Sequence, residues 1–234
     1  MSQSKKHMVE ISQLEIVVAA ENHNPTILNP DFLVRNKIVP DTWKLAQPPI
    51  CIQPLAQVSY DNGVSITADP AKVVFSEMFR EGIVGQPSAP GIAMKYVSKL
   101  PHVDYRAVGI NPTGHVVLDS DDDAPRSYLM STLISDGHWR NYGNAPVDVS
   151  LNFVFTLQDC RCSIAIERAL KVETEGSRRP VLKFAANFHR EVSHIPMGER
   201  VANLRKIVKN WKSDMENYIN IVNDVFLMGK RGIR

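Results

Sequence analysis

The stretch QVSYDNGVSITADPAKVVFSEM, residues 57–78, decides the class of fold. Asn62-Gly63 stands between two apolar runs, the strongest short-range hairpin signal, because both turn positions of such a hairpin favour positive φ. Pro70 then breaks the second run, since proline cannot donate to a strand ladder. Residues 57–78 are therefore expected to form successive short strands with no helix between them, which antiparallel pairing allows and parallel pairing does not.

Working upstream, QLEIVVAAEN (13–22) reads as a strand, rich in β-branched residues and ending in Asn-His-Asn-Pro, a turn signal. An irregular, proline-punctuated stretch follows to about Pro49. Within it NPDFLVRNKIV predicts one short helix, capped by Asn29 or Asp31 with Pro30 in its first turn. Downstream, SAPGIAMKYVSKLP reads as a helix with Ile92, Tyr96, Val97 and Leu100 on one face, and VDYRAVGIN (103–111) as a strand.

The second half repeats this outline. A helix is expected over 125–135. VDVSLNFVFTL (147–157) alternates, turning Val147, Val149, Leu151, Phe153, Phe155 and Leu157 one way. CSIAIERALKV returns with Cys162, Ile164, Ile166, Leu170 and Val172 on one face. RPVLKFAANFHREV adds a strand with Leu182, Phe184, Ala186 and Phe188 toward the core. From about Gly198 to Met228 apolar residues recur in steps of three and four, predicting one amphipathic helix about 45 Å long that stops at Gly229.

The expected architecture is α+β: antiparallel meandering sheet with helices on one face and a long C-terminal amphipathic helix. Residues 1–12 are expected to form a disordered tail. Residues 13–234 are expected to form a single domain, built from two similar subdomains, 13–118 and 124–228.

The segments PLAQVSYDNGVSITADPAKVVFSE, YRAVGIN and ANFHREV, ahead of a closing helix, resemble a sporadically distributed family of uncharacterised bacterial α+β proteins. The stretch NHNPTILNPDFLVRNKIVPDTW departs from that pattern. The resemblance implies an α+β fold and a place in bacterial defence or toxin–antitoxin systems. It carries no catalytic residue across.

Composition narrows the function classes. Of 234 residues, 44% are hydrophobic and 22% charged, enough to bury a core, and a formal charge of +2 supplies no global field for nucleic acid. Three cysteines, Cys51, Cys160 and Cys162, argue against a disulfide framework. With no signal-peptide pattern and no apolar run long enough to span a bilayer, a cytoplasmic protein without membrane contact is expected. No glycine-rich phosphate loop occurs, and no cofactor is called for.

The chemistry-bearing residues are few. Asp119, Asp121 and Asp123, with His115 on the preceding strand, could hold a divalent metal. Yet a calcium loop would need Gly at Ala124 and Glu at Met130. The favoured reading is that Asp122 or Asp123 caps the following helix. Cys160 and Cys162 could bind zinc with a histidine supplied by the fold, although a core position for Cys162 is favoured. Glu21-Asn22-His23-Asn24 is the best strand-end polar cluster, its simpler meaning being a turn. Arg200, Arg205, Lys206, Lys209 and Lys212 are candidates for nucleic acid, against the simpler reading of a solvated helix face. Trp211, Met215, Tyr218 and Val222 are candidates for an interface.

The leading reading is a non-enzymatic partner-binding protein whose partner is another protein or a second copy in a homodimer. A metal-dependent enzyme acting on nucleic acid or a phosphorylated ligand is the alternative. A nucleic-acid-binding module is the third.

Overall fold

The computed structural model describes residues 8–79, 85–118, 121–173 and 176–228. Nine antiparallel strands form one open sheet: β1 (Glu10–Glu21), β2 (Ile50–Cys51), β3 (Ala56–Ser59), β4 (Val64–Ala68), β5 (Lys72–Met78), β6 (Asp104–Val116), β7 (Ser150–Thr156), β8 (Arg161–Val172) and β9 (Arg178–Glu191). Their spatial order is β2-β3-β4-β5-β1-β6-β9-β8-β7. Five helices accompany them: α1 (Pro30–Arg35), α2 (Ala89–Lys99), α3 (Ala124–Tyr128), α4 (Met197–Lys209) and α5 (Trp211–Asn220). The α+β class and the antiparallel meander are as expected.

The order has a two-fold logic. Each half begins with a long central strand, makes an excursion, and returns through a meander whose last strand pairs with the first. A helix then follows on the sheet face. The first strands, β1 and β6, pair with each other about Ile16↔Ile110, so both halves share one sheet. This arrangement puts every strand of the meanders beside its sequence neighbour, the cheapest closure for chain entropy.

Local signals account for most elements. Asn29 Oδ1 accepts the Phe32 amide at 2.9 Å and opens α1. Asp69 Oδ1 accepts the amides of Ala71 and Lys72 at 2.7 and 2.9 Å and turns β4 into β5 around Pro70. In the β3–β4 turn only Gly63 takes positive φ (+89°). Asn62 does not, so the turn is not the two-residue mirror type that the sequence suggested.

One sheet face carries Leu14, Ile16, Val18, Phe75, Ile110, Ile164, Phe184 and Phe188, all buried. α2 rests on it over β1 and β5, and α4 and α5 over β6. The expected face of α2 is the observed one: Ile92, Tyr96 and Val97 are buried. The other face presents smaller and more polar side chains, such as Ser65, Ser76, Asn111, Ser163 and Asn187.

Four expectations need correction. β1 starts at Glu10, so residues 10–12 are strand and not tail. β6 does not end at Asn111 but runs on to Val116. Its ladder to β1 continues through Leu14↔Pro112, while its ladder to β9 skips Asn111 and Pro112, where the proline lacks a donor. Leu170 and Val172 are exposed, because the β8–β9 hairpin outreaches the helical cover. The long C-terminal helix is two helices, divided at Asn210, whose amide bonds back to the carbonyl of Ile207 and closes α4. α5 continues as a wide π-turn, Ile221–Phe226. Gly229 lies outside the described residues.

Candidate functional site

The structure scatters the residues that the sequence grouped for metal. Asp119 lies outside the described residues. Asp121 Oδ1 accepts the Asp123 amide at 3.0 Å, which makes a turn. Asp123 sits at the N-cap of α3 but caps no backbone amide. Its carboxylate instead takes Arg126 through Nε and Nη2 at 2.7 and 2.6 Å, and Ser127 Oγ at 3.2 Å. The Arg126 hydrogen bond, opposed by desolvation and helped by Ser127, holds that carboxyl below its ordinary value. Among the described residues no three His, Cys, Asp or Glu side chains stand together as a metal site would require.

His115 belongs to another assembly. It faces Glu10 across the β1–β6 ladder, Lys183 faces His115 from β9, and Glu167 faces Lys183 from β8. Register thus lays a polar row across four strands of the open face, a carboxylate at each end with an imidazole and an ammonium between them, and Lys183 Nζ is 3.0 Å from Glu167. Further along β8, Lys171 reaches back to Glu10 at 3.1 Å and ties the hairpin to β1. The hairpin, β1, the end of β5 and the end of β6 enclose a cleft of about 630 Å³.

Burial would raise the Glu10 carboxyl, but the Lys171 hydrogen bond and the nearby charges hold it below its ordinary value. Burial first, and the Lys171 charge second, push the His115 imidazole down against the pull of Glu10. His115 is therefore neutral at pH 7. Its Nε2 lies 2.9 Å from Glu10 Oε2 but is poorly aligned and makes no hydrogen bond, so proximity and not directionality links them. Sequence reasoning named His115 but missed Glu10 and Lys171, which are 161 positions apart and share no local pattern.

The cysteines are structural. Cys162 is buried with Ile164, and burial raises its thiol to about 12. Burial raises Cys160 to about 11, so neither is a ready thiolate. Beside them Arg190 bridges Asp214 on α5, at 2.8 Å through both guanidinium nitrogens, and Asp159 in the β7–β8 turn. Burial would lower the guanidinium, but the bonds to Asp214 and Asp159 raise it above its ordinary value.

His23 ends β1 inside the fold, not at a surface site. It is buried, with Nε2 3.0 Å from the Tyr96 hydroxyl on α2. Met215, Tyr218 and Val222, expected at an interface, are buried against their own sheet, and Tyr218 donates to the Phe184 carbonyl at 2.9 Å. Trp211 is half-buried. The apolar stripe is used inside the molecule. Arg200 is likewise engaged: it donates to the carbonyls of Ile195 and Ser193 at 2.7 Å and pairs with Asp104. Arg205, Lys206, Lys209 and Lys212 are exposed.

The exposed apolar residues gather elsewhere. Leu45, Ile50, Ile52 and Leu55 are 42%, 37%, 62% and 39% exposed within eleven positions along the outer strand β2 and its flanks. Scattered surface leucines are ordinary, whereas four on one edge make a patch of the kind that partners cover. No described helix is long and apolar enough to cross a membrane. Neither protein-family models nor curated proteins give a match to the chain.

Proposed function

We propose that this chain is a non-enzymatic protein-binding module that docks another protein along the β2 edge of its sheet. The observation that carries the reading is the run of exposed Leu45, Ile50, Ile52 and Leu55 beside an edge strand. An edge strand offers unpaired backbone donors and acceptors, and neighbouring apolar side chains add the affinity that backbone pairing lacks. The ionic groups between elements fit a scaffold role: Arg190 with Asp214, and Arg200 with Asp104, each hold one element on another.

Light scattering on the full chain and on the double variant I50K/I52K tests this. A dimer that the variant dissociates assigns the edge to a second copy. A monomer that retains a stoichiometric protein from its source cells, lost in the variant, assigns it to a different partner. A monomer that retains nothing refutes the proposal.

A further inference from the structure

The helical layer carries a second feature, independent of the β2 edge. α2 and α4 pack side by side over the middle of the sheet. Arg200, at the start of α4, bonds the Tyr105 carbonyl, and the Tyr105 hydroxyl bonds the Leu100 carbonyl at the end of α2. The start of α4 therefore lies by the end of α2, and two helices packed along their lengths from there must run in opposite directions. Each turns its apolar residues to the sheet, Ile92, Ala93, Tyr96 and Val97 from α2 and Leu204 and Val208 from α4. The outward ridges are what remain: Lys95 and Lys99 on one helix, Arg205, Lys206 and Lys209 on the other, all exposed.

Three properties separate this surface from an ordinary solvated helix face. None of the five cations forms an ion pair among the described residues, whereas Arg200 one turn earlier is fully engaged. The only acid on either helix is Glu199, in the first turn of α4. Ser98, beside Lys99, and Ala202, about one turn before Arg205 and Lys206, are exposed and small, so an extended ligand can approach the helix backbones there. A lysine ridge that served solubility alone would tolerate interspersed acids and commonly carries them as i,i+4 pairs.

We propose that the α2–α4 face binds nucleic acid through its phosphate backbone. The alternatives demand features that this surface lacks. A protein interface has an apolar centre, and a membrane-docking helix inserts apolar side chains. Here the apolar side chains point inward, apart from Met197 at one end. Phosphate recognition needs only regularly placed cations, and cations four positions apart on α4, such as Arg205 and Lys209, are about 6 Å apart along the helix. Next to them Trp211 is half-exposed at the α4–α5 junction, with Lys212 Nζ 5.8 Å from its ring centre, and offers a ring for one unpaired base. The sequence pointed to the final helical stretch, α4 and the start of α5, and counted Arg200. The fold removes Arg200 from that surface and adds the lysines of α2.

The test is fluorescence anisotropy of the full chain with a labelled 20-nucleotide single strand and its duplex, from 50 to 300 mM KCl. Binding at 50 mM KCl is expected, with a log–log salt slope of about −3 to −4 for four to five phosphates. The α2 variant K95E/K99E is expected to weaken binding at least tenfold, as is R205E/K209E. The control K72E/R161E makes the same charge change elsewhere and is expected to stay within threefold; circular dichroism checks that each variant is folded. The proposal is overturned if no binding occurs at 50 mM KCl, or if K72E/R161E weakens binding as much as K95E/K99E. It is equally overturned if polyglutamate or phosphatidylserine vesicles compete as well as unlabelled oligonucleotide at equal charge.

Discussion

From β1 to α2 the chain runs one course, and from β6 to α5 it runs the same course again, yet the two halves cover their parts of the shared sheet with different material. In the first half the cover beyond α2 is the excursion between β1 and β2. Leu28, Leu33, Ile38 and Val39 fill it, and Phe32 meets the Tyr96 ring edge-on at 5.8 Å. In the second half the excursion contributes less, and the C-terminal α5 with its π-turn lies across the sheet instead. Phe226 there gathers Phe153, Phe155 and Phe184 at 5.0–6.3 Å. The first cover is held by short-range turns and caps. The second is held by a terminal segment anchored through side chains distant in sequence. One sheet topology thus fixes where a cover must go without fixing which part of the chain supplies it.

The largest expected effect tests the second cover. Phe226→Ala removes the ring on which three others converge, and we expect a loss of about 3–4 kcal/mol in chemical denaturation. Hydrogen exchange should show α5 and β7 opening before β1 and β6. Uniform loss of protection across both halves would break the comparison, since the covers would then be one cooperative unit.

Next comes the anchor. Asp214→Ala leaves Arg190 largely buried with only the exposed Asp159 beside it, and about 3 kcal/mol should be lost. The double variant R190M/D214L should recover most of that, because it replaces the ions by apolar volume. A double variant no better than Asp214→Ala would mean that the pair selects the path of α5 and does more than fill space.

These two predictions also mark what the sequence could express. Much that neighbours along the chain govern was legible: the break at Pro70, the cap at Asn29, the apolar face of α2, the alternation of β9. The turn type at Gly63 and the capping role of Asp123 were misread locally, and the rest of what escaped depends on contacts remote in sequence. An unbroken apolar stripe from Val201 to Phe226 cannot announce the break at Asn210, since both helices still bury the same kind of side chain. The strand read over 103–111 runs on past Pro112, because the proline silences only one ladder and β1 on its other side keeps pairing. The Glu10–Lys171 tie required knowing that the β8–β9 hairpin returns toward β1. The candidate residues fared worse than the fold, because the sequence shows that Arg200 or Met215 is present but not whether something inside the molecule already occupies it.

The first cover should prove easier to weaken locally and less costly. Asn29→Ala removes the acceptor for the Phe32 amide, and we expect a loss of about 1 kcal/mol. Protection should fall over 25–39 and nowhere else. A loss equal to that of Asp214→Ala would show that the excursion is held as firmly as α5 and would erase the contrast.

The smallest effect is a pH dependence seated where the first cover meets β1. His23 is buried against Tyr96, its Nδ1 has no partner, and its amide donates to the Pro70 carbonyl at 3.0 Å. Burial lowers the folded imidazole below its ordinary value of 6.5, while the Asp69 backbone carbonyl on the β4–β5 turn, and after it the Asp69 charge, pull the other way. The unfolded chain therefore binds the proton more readily than the folded one, and stability rises with pH across this window. The contribution is complete above about pH 6.5 and declines as pH falls from there toward the depressed folded value. Denaturation midpoints of the wild type should fall from pH 7.5 to 5.5, and His23→Gln, which can still bond the Tyr96 hydroxyl, should flatten that fall. Part of the slope should survive in His23→Gln, because His115 is shifted in the same direction in the cleft beside Glu10. If His23→Gln left the slope unchanged while His115→Gln removed it, the pH sensitivity would belong to the β1–β6 seam shared by both halves and not to the first cover.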